Sequence, residues 1–535
     1  MAVYIAKRVD CLVSMSHANL GCIEVESTHN KWAVALSVSM GGVMSSLDTF
    51  ILYVATPNLR GVFSATVAEV SWVSTSYAIA SMMCMFLSGW FVDRLGSKRV
   101  YQAGLVLFVI GSALCAMATS LEQLILYRVI QGLGAGILLP VEGVILRRTF
   151  PPVQHGLVMG LYGTSIMCGP AFGPMLGGIL IDQFSWHFIF IVNIPIGIIS
   201  FVMVRHYLID DPISAGTPKR TFDAPGILWL LFGVVGTVWL LERGDRTYWF
   251  EDTQNVILLV VALASWAMLC AHSLTIKQPL LDLKVLKHKT FTAANSLNFL
   301  AAFMITGTLF VLPIYMQELL GFSPTQAGTT MAPRALVMML AFPLVGWLFN
   351  RVPMRLLITT GLVLGIGSGV MMAGFTFETG WHDMILPQII QGLGAAFILG
   401  PVTTAALISI PKATMPAAAA LESTTRLLGS TLGIAVFASL ITHYELRTWE
   451  LLRHNVTLSS TVLYKRFGGV VEFYYSETSS QLHALEKAYR ALNGRVTEQV
   501  LSITYMNLFQ LITVGFIAML IISAFISLKK QQQVA

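Results

Sequence analysis

Long apolar blocks recur fourteen times along this 535-residue chain, and that repetition constrains its fold more than any other feature. About 20 apolar residues in helical form cross a bilayer, and Trp32 to Thr56, Leu105 to Thr119, Gly226 to Leu241 and Leu508 to Leu528 are blocks of that order. The blocks lie near 32–56, 70–92, 101–119, 123–146, 156–181, 187–206 and 226–241, then 255–273, 292–317, 327–349, 355–375, 384–408, 416–441 and 504–528. Only 11% of residues are charged and 55% are hydrophobic, where soluble domains carry about 25% charge. The expectation is an all-α polytopic membrane protein. The first block follows about thirty mixed residues and runs on too long for a cleaved signal.

Charge placement orients the chain. Of the 33 Lys and Arg residues, 20 fall on the side of the N-terminus. The opposite loops hold 10, of which 7 lie in one long loop, and Arg128, Arg334 and Arg426 stand within spans. By the positive-inside rule both termini are expected in the cytoplasm. The net charge of +6 is thus a topology signal rather than a footprint for nucleic acid. Cys84, Cys115, Cys168 and Cys270 sit in apolar blocks, Cys11 and Cys22 precede the first, and the histidines are scattered, so neither a disulfide framework nor a metal cluster is expected.

The chain repeats itself. Ile130-Gln131-Gly132-Leu133-Gly134-Ala135 returns as Ile390 to Ala395 at an offset of 260 residues, and Gly89-Trp90 with Arg94 returns as Gly346-Trp347 with Arg351 at 257. Duplicated halves suit a transporter that rocks one bundle against another around a midplane site. Six spans per half leave two between them. The expected organisation is a cytoplasmic segment 1–31, a six-helix bundle 32–206, a linker with two extra spans 207–291, a second bundle 292–528 with an external loop 443–500, and a cytoplasmic tail 529–535. The second half of that loop, 480–500, favours a surface helix.

Between the second and third spans, Gly89, Asp93, Arg94, Gly96, Lys98 and Arg99 place a tight turn, an acid and three bases at a membrane edge. A positive-inside anchor accounts for the bases but not for the glycines and the acid at that spacing. The fifth span carries Gly163, Gly169-Pro170, Gly173-Pro174 and Gly177-Gly178. Gly169, Gly173 and Gly177 make one smooth face for close helix approach, and the prolines remove backbone donors and bend the helix.

These two stretches resemble the major facilitator superfamily, whose loop signature reads Gly-x-Leu-Ala-Asp-Arg-x-Gly-Arg-Lys; Ser97 and Phe91 depart from it. The resemblance implies that Asp93 works as a gate against the positive end of a second-half helix. The fifth span looks like the superfamily's antiporter signature. The likeness extends through Trp72 and Tyr77, Trp186 with Asn193-Ile194-Pro195, Phe222 to Gly226, Leu312 to Tyr315, Gly321 to Pro324, and Arg426 with Gly429 and Gly433. With fourteen spans it is similar to the drug:proton antiporter branch represented by EmrB and QacA.

Ionisable groups within a span are costly and mark function. Counting helical rise puts Asp48 ~12 Å and Arg128 ~8 Å below the same surface, so the two are expected to face each other. Both match positions that the resemblance associates with proton coupling; a static ion pair is the alternative. Glu422 and Arg426 are spaced for an i,i+4 pair, and Glu422 is a second candidate for proton coupling. Glu142, near Arg147 and Arg148, is read as snorkelling and paired. Phe50, Tyr53, Trp72 and Tyr77, with Gln131, Arg334 and Arg426, are the candidate lining of a cavity.

The expected function is proton-coupled export of small hydrophobic or amphipathic compounds, with protons as the coupling ion and no cofactor. The alternatives are a dedicated exporter of one endogenous metabolite, such as a siderophore or lipid precursor, and a non-transporting sensor. No nucleophile–base pair or phosphate loop speaks for an enzyme or a primary pump. The resemblance also implies work with a periplasmic adaptor protein and an outer-membrane channel.

Overall fold

The computed structural model describes residues 30–524, except 152–153, 210–222, 245–248, 277–278, 350, 409, 411–414, 456–460 and 479. The N-terminal segment up to residue 29, the whole linker 210–220 and the tail therefore lie outside the described residues. Among the described residues fourteen helices are long and apolar enough to span a membrane. The first half holds α1 (Lys31–Phe63), α2 (Val67–Leu95), α3 (Ser97–Ala116), α4 (Leu121–Thr149), α5 (His155–Gln183) and α6 (Phe188–Tyr207). Then come α7 (Ala224–Gly244) and α8 (Thr253–Thr275), followed by α9 (Lys289–Glu318), α10 (Pro324–Phe349), α11 (Met354–Ala373), α12 (Trp381–Ile408) and α13 (Met415–Asn455). The shorter α14 (Thr461–Thr478) precedes the last span, α15 (Gln481–Ala524).

Local chemistry sets the helix ends. Thr66 and Glu69 form a reciprocal capping box that starts α2, and the Ser120 hydroxyl accepts the Gln123 amide to start α4. Gly96, at φ +82°, turns the chain between α2 and α3, a conformation only glycine adopts cheaply.

The repeat is visible in backbone contacts. Gly132 of α4 abuts the Tyr77 carbonyl of α2, and Gly392 of α12 abuts the Arg334 carbonyl of α10; Gly134 meets the Gly104 carbonyl as Gly394 meets that of Gly361. Arg94 stacks on Trp90 at 4.2 Å as Arg351 does on Trp347 at 3.8 Å. Helices α1–α6 pack among themselves, as do α9–α13 with α15, while α7 and α8 pair and α7 leans on α13 and α2.

The prolines of α5 leave the helix continuous. Pro170 lacks the amide that would bond the Ile166 carbonyl, and the Ser46 hydroxyl of α1 donates to that oxygen instead at 2.6 Å. Gly169, which abuts Ser46, allows this approach, and Gly173 and Gly177 continue it along Phe50 and Ile51. The 443–500 region is more ordered than a loop: α13 runs to Asn455, α14 packs on α15, and α15 begins at Gln481 and continues without a break into the final span. Its hydrophilic turns are helical because they extend helices already nucleated in the apolar region.

Asp223 ties the inserted pair together. Its carboxylate accepts the His272 ring N–H at 2.6 Å and the amides of Gly226 (3.0 Å) and Leu280 (2.8 Å). Burial pushes the Asp223 carboxyl up, but the His272 ring and the two amides outweigh it and hold the group below the ordinary aspartate value. A depressed carboxyl stabilises the fold fully above its unfolded value of about 3.9 and loses that contribution as pH falls through the lower folded value. Hydrogen exchange at Gly226 and Leu280 is expected to stay protected from pH 8 to about 4 and to open only below that.

Candidate functional site

Asp48 on α1 and Arg128 on α4 lie 2% and 1% exposed in the first bundle. The Arg128 Nη1 donates to Asp48 Oδ2 at 2.6 Å and to the Gln131 carbonyl oxygen at 2.7 Å, and Nε donates to the Val73 carbonyl at 3.1 Å. Asp48 Oδ1 accepts the amides of Gln131 and Asn193, each at 2.8 Å, and Gln131 also donates to Ser112 at 2.8 Å. Every group on the carboxylate is a donor, so the arrangement fits the acceptor-only ionised form. The Tyr77 ring lies under the guanidinium at 4.0 Å, with Phe190 at 5.7 Å. Charge-assisted bonds of this kind are the strong ones, and burial raises the stakes of losing any member.

Asp48 and Arg128 meet as their depths predict, and Asn193 and Ser112, which the depth count does not mark, join them. Asn193 breaks the apolar run of α6 and is wholly buried, a signal that was available. Gln131, taken as cavity lining, is a structural link of the network. Tyr53 is buried beside Phe50, their rings edge-on at 5.7 Å. Trp72 is corrected: its ring meets Trp239 of the inserted α7, not the charged network.

In the second bundle Glu422 is 3% exposed. Asn298 donates to its Oε1 at 2.5 Å and Thr403 at 3.0 Å, while Ser423 donates to Oε2 at 3.2 Å. As its spacing predicts, Arg426 pairs with Glu422, its Nε 3.8 Å from Oε1 on a half-exposed side chain. Arg334 is 3% exposed; its Nη1 has no hydrogen-bond partner and its Nη2 reaches only the Ile305 carbonyl at 3.5 Å. Glu142 is corrected too. It is fully buried, and neither carboxyl oxygen has a hydrogen-bond partner, so it does not snorkel.

The halves are clamped at the face that carries the α1–α2 and α9–α10 turns. There Arg60 pairs with Glu318, Gln317 donates to the Val54 carbonyl at 2.9 Å, and the Thr325 amide donates to Asp182 at 2.9 Å. Gly178 of α5 abuts the Pro324 carbonyl, and Gly328 of α10 abuts that of Pro174. On the opposite face Asp93, Arg94 and Arg99 are exposed, Lys98 is half-buried, and Gly96 makes the turn. Gly163 has open space beside it and takes no part in close packing. Gly89 lies within the continuous α2.

Residues 38–434 match the family model of the Major Facilitator Superfamily. The chain is 29% identical to the multidrug export protein EmrB of Escherichia coli over 87% of this chain and 89% of that one. It is 30% identical to the fatty acid resistance protein FarB of Neisseria gonorrhoeae over 81% and 85%. Among solved structures it shares its fold with an inward-facing bacterial homologue of the human lysosomal transporter Spinster, at a TM-score of 0.63 and 15% identity over 92% of this chain and 96% of that one. The chain belongs to the Major Facilitator Superfamily, in its EmrB-like branch.

Proposed function

We propose that this transporter exports small hydrophobic or amphipathic compounds across the cytoplasmic membrane in exchange for protons. The observation that carries the reading is the Asp48 carboxylate, shut inside the first bundle with Arg128, Gln131 and Asn193 as its donors. A carboxylate held this way takes a proton only if the donors are pulled away, so its protonation is tied to helix movement. The bias of Lys and Arg supports an orientation with the clamped face outside, both termini in the cytoplasm and Asp93 with its bases at the cytoplasmic edge. The described conformation is then the one that takes up substrate from the cytoplasm. Opening toward the outside lets Asp48 meet a proton, which the membrane potential drives inward with about 2.3 kcal/mol per 100 mV. Asp93 serves as the gate at the inner edge. Glu422 and Arg334, buried in the second bundle, are the groups that face a substrate there.

Resemblance to EmrB supports a multidrug range, and resemblance to FarB supports amphipathic acids within it. The helical extension of α13, α14 and α15 beyond the clamped face is the surface on which an adaptor protein leading to an outer-membrane channel would sit. Everted vesicles holding a proton gradient test the reading: ethidium or a medium-chain fatty acid added outside should release protons in a manner that needs this protein. No release with any compound of a broad hydrophobic panel, from folded protein, would leave the single-metabolite exporter.

A further inference from the structure

Glu142 is a buried acid that the Asp48 network does not use. It lies seven residues, or ~11 Å, from the end of α4 and has no exposed surface. Its oxygens crowd Gly42 of α1 so closely that a methyl group there would overlap them. From α1 the Ser39 hydroxyl faces it, from α3 the Tyr101 phenol, and from α5 Ser165 and the Tyr162 phenol. The Tyr101 hydroxyl is committed to the Val38 carbonyl at 2.5 Å and the Ser165 hydroxyl to that of Leu161 at 3.3 Å. Helix α2 offers Cys84, beside Gly136 and well along α4. Arg147 and Arg148 are exposed at the helix end. Among the described residues no cation pairs with Glu142, and the Ser39 and Ser165 hydroxyls stand beside it without hydrogen-bond geometry to either oxygen.

An ionised carboxylate closed away without a donor or counter-charge costs several kcal/mol. Packing does not require the acid: at the repeat offset of 260 the second half has Val402, equally buried. We propose that Glu142 is a second proton-carrying group of the first bundle, holding a proton in the described arrangement and releasing it when α1 and α4 part at Gly42 while the clamped face stays shut. Gly42 and Asp48 are six residues apart on α1, ~9 Å along its axis. One helix thus contacts an acid that is fully paired and another that is unpaired. The proton leaves the Glu142 carboxyl as its O–H bond breaks and passes to water on the cytoplasmic side, leaving the carboxylate.

That Glu142 takes part in exchange rests on the export reading, so the test has two arms. Infrared difference spectra of the purified protein between acid and alkaline pH should show a protonated-carboxyl carbonyl band that Glu142→Gln loses and Asp48→Asn keeps. Identical wild-type and Glu142→Gln spectra would overturn the proposal, and this arm needs no substrate. In proteoliposomes, protons moved per ethidium should fall by half in Glu142→Gln and equally in Glu142→Val, which copies Val402 and checks folding. An unchanged ratio would remove Glu142 from the carrier role. Should the wild type move no protons with any compound, the export reading fails, while the infrared band still decides the state of Glu142.

Discussion

Replacing Arg128 alone with Met is expected to damage the protein far more than replacing Arg128 with Met and Asp48 with Asn together. The single change leaves a buried carboxylate with only the Gln131 and Asn193 amides to hold it. Breaking one partner of a buried pair costs about 3–5 kcal/mol, whereas removing both charges is close to neutral. Thermal unfolding in detergent should show Arg128→Met strongly destabilised and the double variant largely restored. Export should not return with stability: the folded double variant is expected to be inactive in the vesicle assay, because the titrating group is gone. A double variant that still exchanged compounds for protons at the normal ratio would reduce the pair to a structural brace.

The second large effect is expected at Gly178. A leucine there would drive its side chain into the Pro324 carbonyl and Thr325, prising apart α5 and α10 and straining the Thr325–Asp182 bond. Overpacking of this kind costs about 1–3 kcal/mol. Set against a balanced two-state equilibrium, a bias of that size shifts populations by roughly 5- to 150-fold. In a background with Cys168 and Cys270 replaced, an Ala327→Cys probe, buried in α10, should react with an impermeant thiol reagent much faster in Gly178→Leu than in its parent. Gly367→Leu, where the added side chain meets open space, serves as the control and should leave labelling unchanged. Equal labelling in Gly178→Leu and its parent would mean that this contact does not hold the face shut.

Much of this was legible in the sequence, for reasons that can be named. Span number follows from apolar length alone, and the meeting of Asp48 with Arg128 follows from the fixed rise of a helix, since both depths are counted from the same surface. Asn193 escaped because depth says nothing about rotation, and α6 exposes Ile198, Ile199 and Val202 while turning Asn193 inward. Glu142 was misread from proximity in sequence: Arg147 and Arg148 are five and six residues on, and partners on a helix face stand three or four apart. Trp72 is grouped in the sequence with the aromatics near the buried charges, but a tryptophan near a span's end can turn toward an inserted helix, and α7 supplies Trp239. In the 443–500 region the helix expected over 480–500 is present, but 443–455 is helical as well, because polar turns continue readily from helices already formed.

The matched glycine contacts of α4 and α12 bear on how such a chain descends from an ancestral half. Backbone meets backbone at Gly132 and Gly392 alike, yet the chemistry beside them has been exchanged. Arg128 corresponds to Gln388 at the 260-residue offset, and Tyr77 to Arg334 at 257. Steric fit of the main chain is therefore common to both halves where the ionic groups are not. Comparisons between distant halves should be registered on their small residues, because the charges record divergence rather than origin.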